Sequence, residues 1–156
     1  ALHLPHDLKG KGADLGAGWG WLAAQTLARP GVKLLHLVEA EAEALACARQ
    51  NITDERAAFH WSDATTFAPG HTLDFVVMNP PFHTGRAAEP ALGAAFIRAA
   101  ARLLHPQGRL YMVANRTLPY EEALTASFRQ VTPIATDGGF KLFVASHPLK
   151  RPVGRL

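Results

Sequence analysis

The chain has 156 residues, of which 48% are apolar and 19% charged, as expected of one globular domain with a real core and not of a disordered segment. No apolar stretch approaches the roughly 20 residues that a bilayer span requires, and no signal peptide is visible. The net charge of +3 is unevenly divided. Residues 1–90 carry seven Lys/Arg against ten Asp/Glu, whereas residues 91–156 carry nine against three, so the second half suits a polyanion such as nucleic acid.

The elements follow from periodicity and punctuation. A short strand, Gly12 to Leu15, runs into Gly16-Ala17-Gly18-Trp19-Gly20, and a helix from Gly20 to Ala28 stops at Pro30-Gly31. Strand two spans Lys33 to Val38, an alanine-rich helix Glu41 to Asn51, and strand three Ala57 to Trp61. Only Ser62 to Thr72 separate strand three from the apolar run Leu73 to Met78, so that crossover has one helical turn or none. A helix over Ala91 to Leu104 precedes strand five, Arg109 to Ala114, and a short helix spans Tyr120 to Phe128. Asp137-Gly138-Gly139 turns a hairpin between Gln130–Ala135 and Phe140–Ser146. Strands alternating with helices predict an α/β fold: a seven-stranded, mostly parallel sheet with an antiparallel carboxyl-terminal hairpin and helices on both faces. All 156 residues are read as a single domain.

The single cysteine, Cys47, excludes an internal disulfide and fits a reducing cytosol, so a cytoplasmic location is expected. The eight histidines are scattered without a carboxylate or cysteine cluster, and no metal site is expected. The chain begins at Ala1, about a dozen residues before its first motif, and is read as a fragment lacking an amino-terminal domain.

Asp14-Leu15-Gly16-Ala17-Gly18-Trp19-Gly20 joins the first strand to the first helix, where glycines let a ligand approach the backbone. A dinucleotide loop wants a third small residue where Trp21 stands, which disfavours a dehydrogenase and favours S-adenosylmethionine, a cofactor with no phosphate to hold. Glu39 closes strand two, where a carboxylate accepts both hydroxyls of a ribose. Asp63 follows strand three, placed to accept from the adenine amine. The expected cofactor set is Asp14, Gly16, Ala17, Gly18, Glu39, Ala40, Asp63, Ala64 and Asn79.

Strand four ends on Asn79-Pro80-Pro81-Phe82. Two prolines leave the sheet in a stiff extended turn, because proline has no N–H to donate and fixes φ. The turn offers a carboxamide, carbonyls released from the ladder and a flat ring at a strand's carboxyl end, where open α/β sheets place ligands. That group suits a flat substrate bearing an amine.

With these motifs the chain resembles class I S-adenosylmethionine-dependent methyltransferases, specifically the "methyltransferase small" group. In particular it is similar to the 16S ribosomal RNA guanine-N2 methyltransferases of the small-subunit methyltransferase C type. The likeness rests on Asn79 to Gly85, on Leu110 to Tyr120, and on Gly139-Phe140-Lys141-Leu142-Phe143, and it covers nearly the whole chain. It implies a Rossmann-like fold, S-adenosylmethionine as methyl donor with S-adenosylhomocysteine as product, and small-subunit ribosomal RNA as partner. It also implies a companion amino-terminal half.

The expected chemistry needs positioning more than acid–base work. Asn79 and Pro80 supply two acceptors for the amine N–H bonds, Pro81 stiffens the corner, and Phe82 stacks on a base that has left its stack. His83, Arg86, Arg116 and Lys141 are further candidates for substrate contacts. Other readings stay open: methylation of a protein glutamine amide or of adenine N6, and a non-catalytic domain that binds RNA or the cofactor.

Overall fold

Runs of apolar residues without alternation become strands covered on both faces. In the computed structural model, which describes residues 4–80, 83–84, 87–88, 90–115 and 120–149, such runs occupy the centre of the sheet. In chain order the elements are β1 (Gly10–Leu15), α1 (Trp21–Leu27), β2 (Val32–Glu39), α2 (Ala42–Asn51), β3 (Ala57–Trp61) and β4 (Leu73–Met78). There follow β5 (His83–Thr84), β6 (Ala87–Ala88), α3 (Pro90–Leu103), β7 (Leu104–Asn115), α4 (Glu121–Ser127), β8 (Phe128–Asp137) and β9 (Phe140–Pro148).

The seven-stranded sheet has the order β3-β2-β1-β4-β7-β9-β8. Its first five strands pair in parallel, and β9 runs antiparallel to both β7 and β8. The expected α/β architecture is therefore present. Residues 62–72 contain no helix, one of the two outcomes the short spacing allowed. Several ends differ from the sequence reading: β1 begins at Gly10, β8 spans Phe128–Asp137 and β9 runs on to Pro148. β7 begins five residues earlier than Arg109, because Leu104 pairs with Leu73 before His105 to Gly108 bulge out of register. The ribbon of β5 and β6 was not anticipated.

Each face carries its own core. Leu35, Leu37, Phe75, Val77 and Tyr111 pack under Leu22, Ala23 and Leu27 of α1 and Ala48 of α2. On the other face Leu15, Val76, Met78, Leu110 and Met112 meet Phe96, Ile97, Ala100 and Leu103 of α3 and Leu124 of α4. Below the sheet, Arg56 donates to the carbonyls of Leu27, Arg29 and Val32 while paired with Asp54, and so closes the end of α1. Arg29 in turn holds the Leu4 and Pro5 carbonyls, fixing the start of the described chain.

A histidine chain crosses the β2–β3 edge. His36 Nδ1 lies 2.8 Å from His60 Nε2, and His36 Nε2 lies 3.2 Å from His71 Nε2. Burial, reinforced by His60 on β3, His71 in the following connection and Lys11 on β1, lowers the His36 pKa to about 4. A depressed base stabilises the fold above its unfolded pKa near 6.5 and loses that contribution as pH falls through the folded value. Wild type is therefore expected to lose urea stability relative to His36→Phe as pH falls from about 7.5 to about 5, whatever the other groups contribute to both proteins. Equal slopes in both proteins would show that another group sets the acid sensitivity.

Candidate active site

β1 and β4 are neighbours, but the next strands of the same sheet, β2 after β1 and β7 after β4, lie on opposite sides of this pair, so a crevice opens above their carboxyl ends. A cleft of about 280 Å³ lies there. Its lining joins Asp14, Gly16, Ala17 and Gly18, from the end of β1 and the glycine loop, to Asn79 just beyond β4. Trp19, Trp21 and Leu22 complete it.

The loop is built from inside. Gly16, Gly18 and Gly20 have φ of 75°, 57° and 103°, a region side chains avoid. The Gly16 and Ala17 amides donate to the Val38 carbonyl at 2.8 and 3.0 Å. The Gly18 amide donates to Glu39 Oε1 at 2.8 Å, and Asn51 Nδ2 donates to the Trp19 carbonyl at 2.8 Å. Nothing lies within 4 Å of the point a Cβ on Gly18 would occupy. A ligand there would touch bare backbone.

Asp14 is the titratable side chain that the described cleft wall carries. It is 1% exposed, and neither carboxylate oxygen has a partner at full hydrogen-bond geometry, the Ala23 amide being near but poorly placed. Burial first, then the Glu39 charge, push its pKa up to about 8, against partial relief from the Ala23 amide at the start of α1. A buried carboxyl with two unused acceptors is costly to keep unless something meets it.

Glu39 and Asp63, with Ala40 and Ala64, are not among the residues that line this cleft. Glu39 joins it through its bond to Gly18, and its Oε2 accepts from the Glu41 amide at 2.9 Å. Each oxygen keeps a lone pair for a further donor. Asp63 stands beyond the end of β3, where the Ser62 amide bonds the Glu39 carbonyl at 3.0 Å. The Thr65 hydroxyl and amide both donate to Asp63 Oδ1, at 2.7 and 2.8 Å, and hold its carboxyl below the usual range. Ala40 is exposed and accepts from Trp61 Nε1 at 2.8 Å. Ala64 is buried in the α3-side core, which leaves only its backbone to offer a ligand.

On the substrate side, Asn79 is exposed in the cleft and Pro80 is buried. Pro81, Phe82, Arg86 and Arg116 lie outside the described residues, and His83 is described only as backbone in β5. Lys141 is ion-paired with Glu121 at 3.0 Å, so an incoming phosphate would compete with a carboxylate. Sequence reasoning gave Trp19 no role and used Trp21 only to exclude a dinucleotide. Their signal was a glycine loop carrying two large aromatics at alternate positions. Tyr120 was also unassigned: its ring packs where Gly93 has no side chain, and its buried hydroxyl has no partner. Among the described residues no group of His, Cys, Asp and Glu could hold a metal ion, and no helix is long and apolar enough to cross a membrane.

Comparison with known proteins matches residues 1–144 to the methyltransferase small domain. Ribosomal RNA small subunit methyltransferase C of Shewanella sp. (strain MR-4) is 33% identical over 143 residues, 90% of this chain and 41% of the relative. Ribosomal RNA large subunit methyltransferase G of Shewanella amazonensis is 34% identical over 149 residues, 92% of this chain and 39% of the relative. Among solved structures, the T. thermophilus 16S rRNA N2 G1207 methyltransferase in complex with AdoMet and guanosine superposes with a TM-score of 0.73. It is 27% identical, covering 89% of this chain and 38% of that one. The chain thus spans about two fifths of the length of these relatives.

Proposed function

Because the chain belongs to the methyltransferase small domain family, we propose that it transfers a methyl group from S-adenosylmethionine to the exocyclic N2 amine of a guanine in small-subunit ribosomal RNA. The observation that carries this reading is one shared cleft: Asn79 stands in the same wall as Asp14 and the glycine loop. The residues fit the cofactor. Asp14 offers two unused acceptors to its ammonium, Gly18 offers open backbone, Glu39 keeps lone pairs for ribose hydroxyls, and Asp63 lies toward the adenine end beside Ala40 and Ala64.

When bound, S-adenosylmethionine supplies a methyl group made electrophilic by its sulfonium. This chain's residues do the rest. The lone pair of a guanine amine is delocalised into the ring. In this reading the Asn79 carboxamide oxygen and the Pro80 carbonyl accept its two N–H bonds. That draws the nitrogen toward tetrahedral geometry and aims its lone pair. Acceptors placed where positive charge develops, together with alignment, supply the rate enhancement. The same reading assigns Pro81 and Phe82 to the corner, with Phe82 as the stacking ring for the base, and Arg86, Arg116, Lys141 and His83 as RNA contacts. Such a substrate puts the enzyme in the cytoplasm. The relatives' greater length supports a further proposal, that a second domain adds RNA affinity.

The test is transfer of labelled methyl to purified small and large ribosomal subunit RNA, with release factor and DNA as controls, followed by nucleoside analysis. N2-methylguanosine in small-subunit RNA is expected, and label on glutamine or adenine would overturn the proposal. Large-subunit RNA is a second reading, favoured by the 34% identity to the large-subunit relative against 33% to the small-subunit one.

Glu39→Ala should weaken cofactor binding about 10- to 100-fold, because it removes the ribose acceptor and also frees the Gly18 and Glu41 amides it now holds. Calorimetric affinity equal to wild type would take Glu39 out of the site.

A further inference from the structure

All three tryptophans of the chain are exposed: Trp19 at 57%, Trp21 at 42% and Trp61 at 71%. Indoles are among the largest apolar groups, and leaving all of them in water forgoes much burial. They are not scattered. Trp19 and Trp21 line the cleft together with Gly18 and Asn79, and Trp61 pairs in register with Glu39 at the next strand end but one.

The backbone beneath Trp19 is fixed. Asn51 holds its carbonyl, the Gly18 amide before it is held by Glu39, and the Gly20 amide after it bonds the Ala17 carbonyl at 3.1 Å. Trp21 is the first residue of α1, so its attachment is equally firm. Among the described residues, the rest of the lining carries one titratable side chain, Asp14, and no Lys, Arg or His. Two indole faces, a buried carboxyl and a carboxamide make a wall that favours cations over neutral groups. Tryptophan is the side chain whose face attracts a cation most strongly.

We propose that Trp19 and Trp21 form a charge-sensing wall of the cofactor cleft, which binds the positively charged sulfonium donor in preference to the neutral thioether product. The inference rests on the cofactor reading above and extends it to specificity. Methyl transfer breaks the sulfur–methyl bond, and its electron pair stays on sulfur as the positive charge passes to the amine nitrogen, which then sheds a proton. The indole faces therefore lose their cationic partner at the moment of reaction. The wall that retains the donor releases the product.

The experiment compares calorimetric affinities of the full chain for S-adenosylmethionine and S-adenosylhomocysteine. Trp19→Ala, Trp21→Ala and the corresponding leucine variants should each shift the affinity ratio toward the product by roughly fivefold. Trp19→Phe and Trp21→Phe, which keep a weaker aromatic face, should restore part of it. Tryptophan emission should change on ligand addition in the wild type, and thermal melts should coincide because both side chains are exposed. If leucine preserves the ratio, or if both ligands weaken equally, the wall acts by area alone and the inference fails while the cofactor reading stands. A wild-type chain that binds neither ligand sinks both.

Discussion

Asn79→Ala is expected to lower kcat for methyl transfer by at least about 10²-fold while leaving cofactor affinity within about threefold of wild type. The side chain is exposed in the cleft, so its loss empties no core and the fold should keep its stability to within about 0.5 kcal/mol. What is lost is an acceptor poised for an N–H whose nitrogen becomes positive as the new bond forms. An interaction that strengthens toward the transition state appears in kcat, whereas uniform binding would appear in KM. Asn79→Asp separates geometry from acceptance. It keeps the shape and an accepting oxygen, so it should fall between wild type and alanine. Nucleoside product from radiolabelled transfer, with calorimetry on the same preparations, measures both quantities. A near-normal kcat for the alanine variant would remove the strand-four corner from the chemistry.

How much of this could be read from residues alone depends on how local the cause is. β3 and β4 occupy the expected spans, Ala57–Trp61 and Leu73–Met78, because each is a contiguous run bounded by polar or breaking residues. The Gly138–Gly139 turn was legible for a similar reason, since Asp-Gly between apolar runs has one good solution. β7 was misjudged at its start because Pro106 and Gly108 read as a turn, yet Leu104 still reaches Leu73 across the bulge. Two-residue strands such as β5 and β6 have no periodicity to detect. Within the site, the acids at strand ends and the Asn79 corner were visible as motifs. The solitude of the Asp14 carboxylate was not, because it depends on α1 and β2 closing over it. Nor was the chain from His36 through His60 and His71, which exists only because parallel register sets residues 36 and 60 on one face.

Asp14 yields the second large effect, and its sign is unusual for a carboxylate. Its folded pKa, about 8, stands above the ordinary value of 3.8, so between those values the native state holds a proton that the unfolded chain has released. Stability with respect to this group is intact below about pH 4, declines as pH rises, and levels off above about pH 8. At one pH unit per 1.36 kcal/mol, the ligand-free protein at about pH 8 carries a penalty of several kcal/mol from this side chain. Asp14→Asn removes the charge and keeps the shape. It should raise the urea-unfolding free energy by roughly 2–4 kcal/mol at about pH 8 and have little effect near pH 4. The same variant should bind S-adenosylmethionine at least about 10-fold more weakly, since a neutral amide cannot meet an ammonium as a carboxylate does. In the wild type, bringing that cation to Asp14 favours ionisation. Binding below about pH 8 should therefore release a proton, seen as calorimetric heats that vary with the ionisation enthalpy of the buffer. Heats independent of buffer, or an asparagine variant no more stable at high pH, would mean that Asp14 is ionised and satisfied in the free protein. A group that weakens the empty protein and strengthens the loaded one is explained by the ligand it waits for.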